Sequence, residues 1–125
     1  MHPSDFDKMA IRTVIASQLN AFQCKDGTRA LSYTTPARQR FGSGEQFLSM
    51  VQQGFPQLCT PKETEFGDLI FFQGHWAQQV TVTGTDGTAL STLYVMQRSP
   101  DGIWRIDRCV FSQPPQAVEE RSTVN

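Results

Sequence analysis

Acid–base chemistry on a carbonyl compound needs a carboxylate or imidazole against an apolar wall, with a donor placed to hold the developing oxyanion. This chain has few residues suited to that work. Its two histidines are His2 and His75, and its three cysteines, Cys24, Cys59 and Cys109, lie far apart with no histidine at a motif spacing. His75 opens a strand-like run directly after Gly74, so it reads either as a partly exposed turn residue or as a base. Asp107 lies in the last strand-like run, where an ion pair with Arg98 or Arg105 is the simpler account. There is no Cys-x-x-Cys, glycine-rich phosphate loop, serine nucleophile elbow or metal-ligand constellation. No catalytic residue, metal site or cofactor is therefore assigned, and the cysteines read as small buried apolar groups.

The bulk numbers set the frame. A chain of 125 residues, 38% hydrophobic, is one domain able to bury a core without staples. A formal net charge of −1 and a pI near 6.1 give no broad footprint for nucleic acid or an anionic membrane. The longest apolar run is Leu69, Ile70, Phe71 and Phe72, too short to span a bilayer. The opening MHPSDFDKMA lacks the apolar stretch of an export signal, and an odd cysteine count suits reduced thiols, so a cytoplasmic location is expected.

Helical spacing dominates the first half. Ser4 and Asp7 form a capping box, and Ile11, Val14, Ile15, Leu19 and Phe22 recur every three or four residues, which predicts a helix over about 5–24. Lys25 and Gly27 serve as its stop signals. Asp26 caps a short second helix ended by Pro36, and residues 36–41 allow a further brief turn. Ser43 and Gln46 make a second capping box, followed by Phe47, Val51 and Phe55 on one face. After a loop at 56–62 the period changes to two. Strand-like runs at 63–72, 75–83, 89–98 and 103–111 are joined by Gln73-Gly74 and by two Asp-Gly turns, a four-stranded antiparallel meander. The domain is expected to end at residue 112, with 113–125 a loose tail.

If both Asp-Gly turns are two-residue hairpins, the register follows. One face then gathers Trp76, Gln78, Val80 and Val82 with Leu93, Val95 and Gln97, and with Trp104, Ile106, Arg108 and Val110; as the more apolar face it is assigned to the helices. Gln78 and Gln97 are amides that would need partners there, and so are candidate polar anchors for a ligand. Arg108 either points inward and finds Glu65 or a bound anion, or is brought to the surface by a bulge. The opposite face keeps Tyr94, Met96 and Phe111, a composition suited to a contact between subunits.

A long capped helix, a short helix, a third helix and a meander, with Asp26-Gly27, Phe41-Gly42, Tyr94-x-Met96 and Asp101-Gly102-x-Trp104-x-Ile106 followed by Cys109, resemble the nuclear transport factor 2-like superfamily. That group includes ketosteroid isomerase and the polyketide-cyclase-like proteins, and the chain looks like an uncharacterised bacterial domain-of-unknown-function family within it. The resemblance implies a cystatin-like α+β cone, three N-terminal helices packed on a curved four-stranded antiparallel sheet, with a cavity between them and a dimer through the open sheet face. It places Tyr33 at the cavity mouth, as an aromatic lid or as a hydroxyl donor. With Met50, Trp76, Gln78, Gln97 and Arg108 this makes the candidate ligand-binding set. The resulting expectation is a non-catalytic homodimer holding a small, mostly apolar ligand or a protein partner, with no nucleic acid and no membrane. The alternative is a small cofactor-free isomerase, dehydratase or cyclase using acid–base chemistry in the cone.

Overall fold

The N-terminal capping box forms as its spacing predicts: the Ser4 hydroxyl accepts from the Asp7 N–H at 3.0 Å, and the Asp7 carboxylate accepts from the Ser4 N–H at 3.2 Å. In the computed structural model, which describes residues 3–40 and 42–112, helix α1 spans Asp5–Gln23 and buries Ile11, Ile15, Leu19 and Phe22. Its stop is Lys25, not Gly27. Lys25 takes the left-handed conformation (φ 56°), and the Asp26 N–H reaches back to the Ala21 carbonyl at 2.9 Å. Helix α2 (Gly27–Ser32) is capped by the Asp26 carboxylate, which accepts from the Arg29 N–H at 3.0 Å. A one-turn helix α3 (Pro36–Gln39) follows, so the helices number four among the described residues, where three were expected. Helix α4 (Gly44–Gly54) starts at the second capping box, and a 3₁₀ turn at Pro56–Leu58 replaces part of the expected loop. The tail from residue 113, expected to be loose, lies outside the described residues.

Two glycines set how closely α2 and α4 approach. A Cβ on Gly27 would lie 2.0 Å from the Gly44 carbonyl oxygen, and one on Gly44 would lie 2.4 Å from the Thr28 nitrogen. Both contacts are with backbone, which cannot swing aside.

Strands β1 (Pro61–Phe72), β2 (His75–Gly84), β3 (Ala89–Arg98) and β4 (Trp104–Ser112) form an antiparallel sheet in sequential order. The first hairpin is the two-residue turn expected, with Gln73 at φ 50° and Gly74 at φ 86°. The other two connections carry one residue more. The Gly84 N–H bonds the Thr88 carbonyl and the Ser99 N–H bonds the Ile103 carbonyl, leaving loops of residues 85–87 and 100–102 that each end on a left-handed glycine, Gly87 or Gly102. In each loop the aspartate takes the N–H two residues on: Asp86 from Thr88 at 2.9 Å and Asp101 from Ile103 at 3.0 Å.

Each extra loop residue slips the register by one and turns the next strand over. On β3 the slip corrects the expected assignment of faces. Tyr94 and Met96, expected at a subunit contact, join Val80, Val82 and Leu90 in the core under the helices, with Tyr94 0% exposed. On β4 the two slips cancel, so Ile106 is buried in the core and Trp104 packs against it, as read from the sequence. The ladder then breaks between Met96–Ile106 and Val95–Arg108, leaving Asp107 as an extra residue in a bulge. Past the bulge Cys109 and Phe111 turn to the helix side, so Phe111 also leaves the expected subunit contact.

Arg108 is thereby carried to the outer face, opposite Val95, and its guanidinium donates to the Gln73 side chain in the β1–β2 turn. A side chain on that path crosses Val95 and its neighbour Ala77, which are both 0% exposed although they lie outside the main core. A second bulge, at residues 67–68 of β1, is satisfied by glutamine side chains. Gln78 donates to the Gly67 carbonyl at 2.9 Å, and Gln79 accepts from the Asp68 N–H at 3.1 Å. The outer edge of β4 is covered by residues 33–35, where the Ile106 N–H bonds the Tyr33 carbonyl at 2.9 Å and its carbonyl accepts from the Thr35 N–H at 3.0 Å.

Two outcomes follow from these joints. Gly27→Ala and Gly44→Ala should each cost at least about 1–3 kcal/mol, read as a lowered denaturant midpoint. Gly54→Ala, whose Cβ would meet nothing within 4 Å, should be neutral or stabilise by about 0.4–1 kcal/mol. Equal effects at the three positions would refute the close crossing. The second outcome concerns Asp7, which joins α1 to the β3–β4 hairpin: its carboxylate accepts from the Trp104 indole N–H at 3.2 Å and lies 3.7 Å from Arg98. Its pKa is lowered, first by the Ser4 backbone N–H, then by Trp104 and, less, by the charge on Arg98. A depressed folded pKa gives stability that is present above the unfolded value and lost as pH falls through the folded one, hence below about pH 4. Thermal midpoints of wild type should therefore drop more steeply on acidification than those of Asp7→Asn, and parallel curves would show that Asp7 contributes nothing.

Candidate functional site

The Asp107 bulge forms one wall of a cavity of about 380 Å³. Helix α1 contributes Gln18 and Phe22, α4 contributes Phe47, Met50 and Val51, and the segment behind α4 adds Phe55 and Leu58. Facing them on β4 are Ile106, Cys109 and Phe111, brought inward by the register just described. The Phe55 and Phe111 rings stack with centroids 3.8 Å apart, and Phe22 meets Phe47 at 5.5 Å, so two aromatic contacts bind the helical wall to itself and to the sheet. Met50 is 56% exposed and stands at the rim.

Polar groups are few and nearly all committed. The Arg38 guanidinium donates through Nε to the Asp107 carbonyl at 2.6 Å, and the same nitrogen lies 4.0 Å from the Asp107 carboxylate. The Thr35 hydroxyl donates to that carboxylate at 3.4 Å, a long bond. Asp107 is thus held by the segment that covers the β4 edge, and the expected pairing with Arg98 or Arg105 does not form. Arg98 meets Asp7, and Arg105 lies 3.9 Å from Asp101. At the α4 end, Ser43 and Gln46 are occupied with each other in the capping box.

Gln18 differs. It is 2% exposed, on the apolar stripe of α1, and its Nε2 donates to the Ala30 carbonyl at 3.1 Å. That bond fixes the orientation of the amide, and Oε1 has no hydrogen bond among the described residues.

Of the six candidate ligand-binding residues, the structure brings Met50 and Arg108 to the cavity border, with the Arg108 guanidinium turned away to Gln73. Tyr33 packs against the core from the α2 end, with its hydroxyl toward Arg29, and does not line the cavity. Trp76 stands edge-on to Phe71 at 5.2 Å near the β1–β2 turn. Gln78, 1% exposed, is occupied by the β1 bulge, and Gln97 is exposed near the end of β3, paired with Arg105. Cavity residues outside the candidate set are Gln18 and Arg38, which sequence reasoning missed, and Asp107 and Cys109, which it read as an ion-pair partner and a buried apolar group. Gln18 had a signal, since it is a polar residue in phase with Ile11, Ile15 and Phe22. Asp107 and Cys109 had none without the bulge.

Behind the cavity wall, the Tyr94 hydroxyl is buried with no hydrogen-bond partner. The Cys109 thiol lies beside it, but sulfur is a weak partner and the pair does not satisfy hydrogen-bond geometry. Burial raises the Tyr94 hydroxyl well above its ordinary pKa and pushes the Cys109 thiol up to about 12, so both stay protonated near neutrality. A cysteine in that state is a poor nucleophile. Because an unsatisfied buried hydroxyl is a cost, Tyr94→Phe should leave stability unchanged or raise it by about 1 kcal/mol in chemical denaturation. A loss of that size would mean the hydroxyl is bonded after all.

The comparisons with known proteins name no activity. No curated protein matches the chain. A family model described as a domain of unknown function matches residues 4–118, spanning every helix and strand above and the whole cavity wall. The chain belongs to this family, DUF4864.

Proposed function

We propose that the chain is a binding module whose cavity takes one small, mostly apolar molecule, on a scaffold of the nuclear transport factor 2-like kind. The observation that carries this reading is the cavity itself. Its volume of about 380 Å³ is that of a small-ligand site, and its walls are aromatic and aliphatic side chains with few polar groups. The exposed Met50 at the rim gives an adaptable apolar entrance. A second copy of the chain belongs to the same reading. It would contact the sheet face away from the helices, where Val110 is 39% exposed, in place of the Tyr94, Met96 and Phe111 first expected there. The three free thiols suit a cytoplasmic setting, and no described helix is long and apolar enough to cross a membrane.

The second reading, an acid–base isomerase, dehydratase or cyclase, is favoured by one feature, the Asp107 carboxylate on the cavity wall. Against it, Asp107 has a structural use: its carbonyl is held by Arg38 at the bulge and its Oδ1 accepts from the Thr35 hydroxyl.

Val51 lines the cavity at 4% exposure, so Val51→Phe tests the first reading. A ring growing into open space should cost less than the about 1–3 kcal/mol of ordinary overpacking. Native mass spectrometry of the wild type should show an added small-molecule mass that the folded variant lacks. A wild-type protein that carries nothing and a variant that is strongly destabilised would together show the cavity to be closed.

A further inference from the structure

We propose that Gln18 is the specificity residue of this cavity, and that the ligand carries a hydroxyl or N–H donor which bonds Gln18 Oε1. This rests on the cavity being a ligand site and adds the chemical class of the ligand.

Gln18 lies in the stripe of α1 that packs inward, one turn before Phe22. A glutamine there is expensive unless both ends of its amide are bonded, because burying an unmatched polar group costs free energy and an aliphatic residue would cost none. Half of the amide has an evident structural use: Nε2 bonds the last open carbonyl side of Ala30 and ties α1 to α2. That bond leaves the oxygen pointing the other way, and Gln18 borders the cavity.

Oε1 accepts from no described residue. It is also not among the fully enclosed unsatisfied atoms, of which the Tyr94 hydroxyl is the example, so it has an open side. The cavity is the open space that Gln18 borders. A carbonyl-type oxygen accepts only, so the complementary group is a donor: an alcohol, a phenol, or an amide or indole N–H. A carboxylate or ketone oxygen would meet repulsion there. The surrounding Phe22, Phe47 and Phe55 call for an apolar and preferably planar body on that donor.

The test compares 2-naphthol with 2-methylnaphthalene, near-isosteric probes that differ by a hydroxyl donor against a methyl group, by titration calorimetry on the full chain. Wild type should bind 2-naphthol about tenfold more tightly, the usual worth of a buried hydrogen bond. In Gln18→Met the preference should fall to about one, through loss of naphthol affinity while methylnaphthalene affinity is kept. Gln18→Met also loses the bond to Ala30, so if it fails to fold the wild-type ratio alone decides. Binding of both probes with equal affinity would overturn the role of Gln18 and leave the cavity reading standing. Binding of neither would overturn both.

Discussion

The bulge at Asp107 is the constraint on which the rest of the structure depends. Without it β4 would continue the alternation begun by Trp104 and Ile106, sending Arg108 and Val110 into the core and Cys109 and Phe111 outward. With it, Ile106 and Cys109, three apart in the chain, line the same cavity, and a guanidinium is kept out of an interior that could not solvate it. A bulge leaves local backbone groups unpaired. Here the Asp107 carbonyl is taken by Arg38, from the segment that already lies along the β4 edge at Tyr33 and Thr35. One short stretch therefore closes the sheet edge, fixes the bulge and supplies a wall of the cavity.

The glycine contact between α2 and α4 works on the opposite wall. Gly27 and Gly44 let the two backbones meet more closely than any side chain would permit. The α2–α4 pair is consequently drawn together at the start of α4, while Phe47, Met50 and Val51 further along face β4 across the cavity. The far end is held by the Phe55–Phe111 stack, which joins the segment after α4 to the end of β4. A cavity survives between two such ties because each fixes a distance at its own end.

How much of this was legible follows from how local each signal is. The capping boxes at Ser4 and Ser43, the Asp26 cap and the Gln73-Gly74 hairpin depend on residues a few places apart, and the sequence read them correctly. The faces of β3 were not readable, because Asp-Gly serves a two-residue turn and a three-residue loop equally well, and the difference of one residue reverses a strand. The errors at the two loops cancel on Trp104 and Ile106, so part of β4 was assigned rightly for an incomplete reason. The bulge was out of reach, since what stabilises it is Arg38, some seventy residues away. For the site the same rule holds: Met50 follows from helical phase, whereas Asp107 and Cys109 follow from long-range pairing.

Most of the polar groups around the cavity are used to hold the fold together. Arg38, Gln78 and the two capping boxes spend their hydrogen bonds on backbone that bulges and helix ends leave exposed, and the Asp107 carboxylate takes the Thr35 hydroxyl. Tyr94, behind the wall, and Cys109, on it, are both kept protonated by burial. An amide such as Gln18 neither gives up nor takes a proton near neutrality, yet it discriminates donor from acceptor. On the binding reading proposed above, the Gln18 amide oxygen is the atom placed to recognise a donor on the bound molecule.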